Sequence, residues 1–264
     1  MLIVKNITKV FNPKTVNEKI ALRNVSMKLE KGDFVTLIGG NGSGKSTLLN
    51  CIAGVHQVDK GSIIIDGIDV TNLNEHKRAA LLGRVFQDPV MGTASNMEIE
   101  ENLALASRRG KRRGLTWFIS NKEREHYKEL LKTLGLGLET RLTTKVGLLS
   151  GGQRQALTLL MATIKKPRLL LLDEHAAALD PKTAQKVLKL SDMIINENNL
   201  TTLMVTHNMR DAIRHGNRLM MMHEGQIILD IKSQEKKKLT VEDLLVRFGA
   251  ASGEEFADDR TLLS

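Results

Sequence analysis

Short apolar runs separated by turn residues dominate the first third of the chain. Phe34-Val35-Thr36-Leu37-Ile38 is compact and mostly apolar, and it stops at two glycines. Ile63-Ile64-Ile65 runs into Asp66-Gly67, a hairpin signal, and Ile68 and Val70 follow on the return. Farther along, Leu169-Leu170-Leu171-Leu172 and Leu203-Met204-Val205 show no polar alternation. Strands read this way when helices cover both faces of a parallel sheet. Between these two runs, Ala184, Val187, Leu188 and Ile195 recur near a helical period. Strand, helix, strand implies an α/β fold.

The middle of the chain, from about residue 90 to 167, is mostly helical in pattern. Ser120-Asn121-Lys122-Glu123 has the form of a capping box. Tyr127, Leu130, Leu131 and Leu134 then mark one helix face, and Gly135 can end that helix. This stretch reads as a helical subdomain inserted into the α/β core. From about Ser233 a tail begins, with a short helix opened by Thr240 and closed by Gly249. No internal repeat or low-complexity segment is visible.

Composition narrows the class. The chain has 264 residues, 41% hydrophobic and 26% charged, an ordinary globular balance. No apolar run approaches the roughly 18–20 residues needed to cross a bilayer. Met1 to Asn6 lack a basic region before an apolar core, so no secretory signal is expected. Cys51, the single cysteine, has no internal partner, which fits a reducing cytoplasm, and it reads as a small core residue. A net charge of +9 admits nucleic acid, an anionic membrane surface or phosphorylated ligands, besides a plain lysine-rich surface. Basic residues cluster at Arg108, Arg109, Lys111, Arg112 and Arg113 and again at Lys236 to Lys238; Glu254, Glu255, Asp258 and Asp259 partly offset them.

Three segments carry chemistry. Gly39-Gly40-Asn41-Gly42-Ser43-Gly44-Lys45-Ser46, followed by Thr47, lies between a predicted strand and a predicted helix over Ser46 to Ala53. In that context the pattern reads as a phosphate loop: glycines let backbone N–H groups converge on phosphate oxygens, Lys45 reaches the β- and γ-phosphates, and the Ser46 hydroxyl holds Mg²⁺. Arg168 to Glu174 is an apolar strand ending in two carboxylates. In a nucleotide site Asp173 would hold Mg²⁺, directly or through water, and Glu174 would polarise an attacking water; by themselves the two read equally as solvated acids at a strand-terminal turn. Leu149-Ser150-Gly151-Gly152-Gln153 opens a further helix with a second phosphate-facing terminus, or a simple N-cap. One nucleotide hardly needs two cradles, so the second is expected to serve the nucleotide of another copy of the chain.

A phosphate loop, LSGGQ and LLLLDE in this order resemble the ATP-binding subunit of an ABC transporter, over about residues 1–230. The resemblance implies a P-loop NTPase (RecA-like) core with an N-terminal antiparallel β subdomain and an inserted α-helical subdomain. It implies an ATP-binding domain over residues 1–232 and a helical tail over 233–264. By the same resemblance, Gln87 is the glutamine that touches Mg²⁺, Ala177 to Asp180 is a loop facing the opposite subunit (or Asp180 is an N-cap before Pro181), and His207 contacts the γ-phosphate. Phe11 is either the aromatic that stacks on adenine or a core residue, since Asn12 to Lys19 lengthen the loop after it. Lys45, Glu174 and His207 are the expected catalytic residues. Phe11, Gly39 to Thr47, Gln87 and Ser150 to Gln153 are expected to bind ATP, with Ser46, Gln87 and Asp173 on Mg²⁺.

The implied activity is ATP hydrolysis that drives transport through two separate membrane permease subunits, by forming and opening a head-to-tail homodimer on the cytoplasmic face of the membrane. No nucleic acid partner is expected. An importer would also need a solute-binding protein, and the segment from Asp173 to Lys182 resembles importers paired with binding proteins for aromatic amino acids. Exporters, lipoprotein-extruding ATPases and non-transport ABC ATPases remain alternatives. His175 stands where many family members have proline; it reads as a turn residue pointing to solvent, or as an imidazole bonding within the site. Trp117 and Phe118 follow the basic run, and together they read either as a contact with lipid or permease or as a solvated loop. Met220 to Met222 reads as packing.

Overall fold

The computed structural model describes residues 1–110 and 119–252. Lys111 to Phe118 and the acidic end after Ser252 lie outside the described residues, so Lys111, Arg112, Arg113, Trp117 and Phe118 are not placed. The chain opens with β1 (Leu2–Phe11), β2 (Lys19–Leu29), β3 (Phe34–Ile38), α1 (Lys45–Ala53), β4 (Lys60–Ile65) and β5 (Ile68–Asp69). It continues through α2 (Glu75–Arg78), β6 (Leu82–Val85), α3 (Ile99–Ser107), α4 (Asn121–Lys132) and α5 (Gly151–Thr163). After these come β7 (Leu169–Asp173), α6 (Pro181–Glu197), β8 (Thr202–Val205), α7 (Met209–Arg214), β9 (Arg218–His223), β10 (Gln226–Lys232), α8 (Ser233–Lys236) and α9 (Val241–Ser252).

Two sheets form. One is antiparallel, in the order β2-β1-β4-β5, with Ile65 opposite Ile68 across the expected Asp66-Gly67 turn. The other runs β10-β9-β3-β8-β7-β6; its β3, β6, β7, β8 and β9 are parallel, and β10 closes one edge antiparallel to β9. Every residue of β3 and β8 is buried, as is each leucine of β7. Layers on both faces explain this. One apolar cluster joins the antiparallel sheet and α1 to one face of the parallel sheet. A second joins α3, α4, α5 and α6 to the other.

α6 shows how the local code meets the packing. Asp180 caps it by accepting from the Thr183 N–H at 3.0 Å, Pro181 occupies the first turn, and Val187, Leu188, Ile194 and Ile195 form the buried stripe. The Ser120–Glu123 capping box opens α4 as expected. The tail departs from expectation. Thr240 caps α9, but the helix runs through Gly249 to Ser252. A helical glycine costs only about 1 kcal/mol relative to alanine, and Leu244 and Phe248 already bury that face against α7 and β9. Of the basic run, Arg108 pairs with Glu123 at 3.2 Å and Arg109 donates to the Ala162 carbonyl, so both turn toward the helical layer.

Arg78 ties α1 to the rest. Its side chain is fully buried and donates to the carbonyls of Cys51 and Ile52, the last turn of α1, and to those of Leu73 and Thr71. A cation at a helix C-terminus is favoured by the helix dipole, and here it also fills orphan carbonyls. Arg78→Met keeps most of the volume and strands these acceptors. We expect a loss of about 3 kcal/mol or more in unfolding free energy by urea titration; a loss under about 1 kcal/mol would contradict the clamp.

Candidate active site

The register of the parallel sheet places the motif residues at one edge. Leu37 pairs with Val205 and Val205 with Asp173, while Val85 pairs with Leu172. The segments beginning at Gly39, Phe86, Glu174 and Thr206 therefore leave the sheet side by side at the carboxyl ends of β3, β6, β7 and β8. Open α/β sheets bind ligands at that edge.

Gly39 to Gly44 wraps over the N-terminus of α1. Gly44, the N-cap, has φ 102°, and a Cβ there would lie 2.6 Å from the Ala21 carbonyl oxygen, so a larger residue has no room. No side chain caps this helix. Its first-turn N–H groups, from Lys45, Ser46 and Thr47, are left for an anion. Ser46 is exposed on the first turn, and Thr47 beside it is half-buried. The Ser43 hydroxyl is buried with no protein partner among the described residues. Lys45 folds back, its ammonium donating to the carbonyls of Gly39 at 2.7 Å and Gly40 at 3.0 Å. Burial lowers its pKa, and the charges of Glu174 and Asp173 work in the opposite sense.

At the end of β7, burial raises the pKa of Asp173, and Arg84 opposes the rise through an ion pair at 3.2 Å. Arg84 also bonds the Asn50 side chain of α1 and lies over the Phe86 ring. Glu174 adopts a left-handed backbone with φ 44°, and its carboxylate lies 3.3 Å from His207 Nδ1. The structure thus brings Lys45, Asp173, Glu174 and His207 together. Gln87 is exposed just beyond β6, and the preceding Phe86 carbonyl accepts from the buried Gln155 side chain of α5 at 3.0 Å.

Ser150 caps α5 and Gln153 returns the bond, a full capping box. That pair uses the N–H groups of Ser150 and Gln153; those of Gly151 and Gly152 have no intramolecular acceptor among the described residues. Gly152 is required by close packing, since a Cβ there would lie 2.2 Å from Thr183 Cγ2 at the start of α6. This second terminus therefore backs onto Ala177 to Asp180 and α6. Phe11 ends β1 half-buried, opposite Lys19, with its ring edge-on to His56 at 5.2 Å and the Lys9 ammonium 5.6 Å away.

Sequence reasoning missed Arg84, Gln155 and Lys19, whose ammonium lies 4.0 Å from the position of a Cβ on Gly42. Of the two readings of His175, the solvent-facing one is corrected: the ring is 1% exposed, and its Nε2 pairs with Ser191 Oγ of α6 at 2.8 Å. Among the described residues no helix is long and apolar enough to cross a membrane.

A phosphate loop at a parallel-sheet edge, with a strand-end acid pair, defines a P-loop ATPase core. A family profile described as ABC transporter matches residues 22–177. A "Tyrosine transport ATP-binding protein" of Clostridioides difficile is 46% identical over 94% of this chain and 98% of that protein. "Energy-coupling factor transporter ATP-binding protein EcfA2" of Clostridium perfringens is 33% identical over 88% and 80%. A dimeric post-hydrolysis state of an ATP-binding cassette bound to ADP and Pi superposes with a TM-score of 0.74 and 29% identity, covering 88% of this chain and 98% of that one. The chain belongs to the ABC transporter family, as its ATPase, coupling ATP hydrolysis to transport.

Burial pushes the His175 pKa down to about 4, helped by nearby His215 and opposed by Asp192. An unfolded chain titrates this imidazole near 6.5, so between 6.5 and 4 the unfolded state binds the extra proton. Its contribution to folding is whole above that window and is lost as pH falls through it. Urea titrations at successive pH values should show a shallower loss in His175→Gln than in the wild type; identical slopes would contradict a neutral buried imidazole.

Proposed function

We propose that this chain powers import of an amino acid through two membrane permease subunits, and that its ATP sites are each shared by two copies. The observation that carries the reading is the pair of open helix N-termini. One, at α1, stands beside Lys45, Asp173, Glu174 and His207; the other, at α5, backs onto Leu179 and the start of α6. In the shared arrangement, Gly39 to Thr47 and Gln87 of one copy face Ser150 to Gln153 of the other, with Ala177 to Asp180 near the junction. The dimeric cassette described above supports it. Phe11 would stack on adenine from the end of β1.

Ser46, Gln87 and Asp173 offer a hydroxyl, an amide and a carboxylate, an oxygen set suited to a hard divalent cation, and they would hold Mg²⁺. When bound, the cation supplies positive charge to the phosphate oxygens. Lys45 adds a further charge at the β- and γ-phosphates, for which its ammonium exchanges the Gly39 and Gly40 carbonyls. Glu174 accepts a hydrogen bond from the attacking water and orients it, while His207, already beside Glu174, reaches the γ-phosphate. The backbone N–H groups of Gly151 and Gly152 from the second copy stabilise charge on the same phosphate.

The cytoplasmic face of the membrane is the place for such a subunit. The tyrosine transport relative supports an amino acid, and an aromatic one, as cargo; a solute-binding protein would deliver it. With the matching permease and binding protein in liposomes, tyrosine should raise ATP hydrolysis several-fold above the level with alanine. Equal rates with both would set aside an aromatic cargo.

Two experiments address the chemistry. Glu174→Gln keeps size and removes the base, so hydrolysis should fall by roughly 10²–10⁴-fold while ATP affinity survives; near-normal turnover would remove Glu174 from this role. Ser150→Arg and Lys45→Ala proteins should each be inactive alone. Mixed, they form dimers with one intact shared site, and activity should return above either parent. No recovery on mixing would contradict sharing.

A further inference from the structure

Glu174 holds a backbone conformation that a non-glycine residue adopts at a cost, with φ 44°. Such conformations persist when surrounding contacts over-determine them, and they concentrate where function needs a fixed geometry. The contacts here are few. The Glu174 N–H donates to the Val205 carbonyl at 3.0 Å, and the Glu174 carbonyl accepts from Ala177 N–H at 2.9 Å. Beyond these, the carboxylate lies 3.3 Å from His207 Nδ1, Ala176 packs on the helical layer, and the next side chain, His175, is buried against α6.

The bond to α6 has a defined direction. Ser191 has one hydroxyl proton, and it is spent on the Val187 carbonyl at 2.9 Å. Ser191 Oγ must then accept from His175, so the imidazole carries its proton on Nε2 and holds Nδ1 as a bare acceptor. Nδ1 is buried with no partner among the described residues. A ring that leaves one nitrogen unsatisfied in order to reach Ser191 is held there by that single bond and by packing. Next to Ser191, Asp192 takes the His215 Nδ1 at 2.7 Å, which fixes the same stretch of α6 against the end of α7.

We propose that the His175–Ser191 hydrogen bond positions the Glu174 carboxylate for hydrolysis. His175 touches neither nucleotide nor water; it pegs the turn after β7 to α6, so that the carboxylate one residue earlier stays against His207. The inference rests on the reading of Glu174 as the group that orients the attacking water, and it adds a residue that no phosphate-binding motif contains.

The test is steady-state ATP hydrolysis by the full chain in five variants. His175→Ala should lower kcat by roughly tenfold or more, with KM for ATP held within about twofold, because a misplaced carboxylate costs rate and not binding. His175→Gln, whose side-chain amide can donate toward Ser191, should recover most of the loss. Ser191→Ala should reproduce the loss, and combined with His175→Ala it should add little, as expected for two ends of one interaction. Wild-type kcat in His175→Ala, a KM that rises in step with the fall in kcat, or no recovery in His175→Gln would overturn the latch. If His175→Ala does not fold, Ser191→Ala decides by the same criteria. Glu174→Gln separates the two claims: if it turns over normally, the reading of Glu174 fails and takes the latch with it, whereas an inactive Glu174→Gln beside a fully active His175→Ala overturns the latch alone.

Discussion

The parallel pairing of β3 with β8 and of β8 with β7 is the constraint on which the site depends. Side chains in these strands are buried on both faces, so a one-residue slip would send each of them into the opposite apolar layer, where its shape does not match the packing. With register locked, Leu37, Val205 and Asp173 lie at one level, and whatever follows each strand meets at one edge. The phosphate loop, the acid pair and His207 are far apart in sequence and adjacent in space for this reason. Packing energy in the two flanking apolar layers is thereby converted into a fixed arrangement of charges.

Buried cations then brace the arrangement from beneath. Arg78 closes the C-terminus of the helix that begins at the phosphate loop. Arg84 links that same helix, through Asn50, to Asp173 and to the start of the segment carrying Gln87. Lys236, from the tail, sends its ammonium to the Thr36 hydroxyl and to the carbonyls of His215, Gly216 and Arg218, joining α8 to β3 and to the end of α7. A charge taken out of water is costly unless its hydrogen-bonding capacity is filled; Arg78 and Lys236 are each given several acceptors, whereas Arg84 has Asn50 and Asp173 and keeps a buried Nε with no partner among the described residues. Removing any one leaves carbonyls or a carboxylate stranded at a place that the nucleotide site leans on.

Much of this was legible in the chain because each motif is contiguous. A phosphate loop needs its glycines, lysine and serine within one turn, and the acid pair needs only an apolar strand before it. The capping box at Ser120 and the N-cap at Ser150 are equally local. What escaped reading acts at long range: Arg78 meets Cys51 across 27 residues, Gln155 meets Phe86 across 69 and Arg84 meets Asp173 across 89. No spacing rule links such pairs before the fold exists. His175 stayed open between solvent and a buried bond for the same reason, since its partner on α6 becomes visible only when that helix docks. Gly249 erred in the other direction: a local breaker was overridden by burial of Leu244 and Phe248.

The central claim is that one chain holds two halves of different ATP sites. The most direct measurement is the sedimentation velocity of Glu174→Gln protein with and without ATP, in which slow hydrolysis preserves whatever ATP assembles. Monomer without nucleotide and a species of twice the mass with ATP, abolished when Ser150 is also changed to Arg, is the predicted result. A monomer at all ATP concentrations that saturate binding would contradict the shared site.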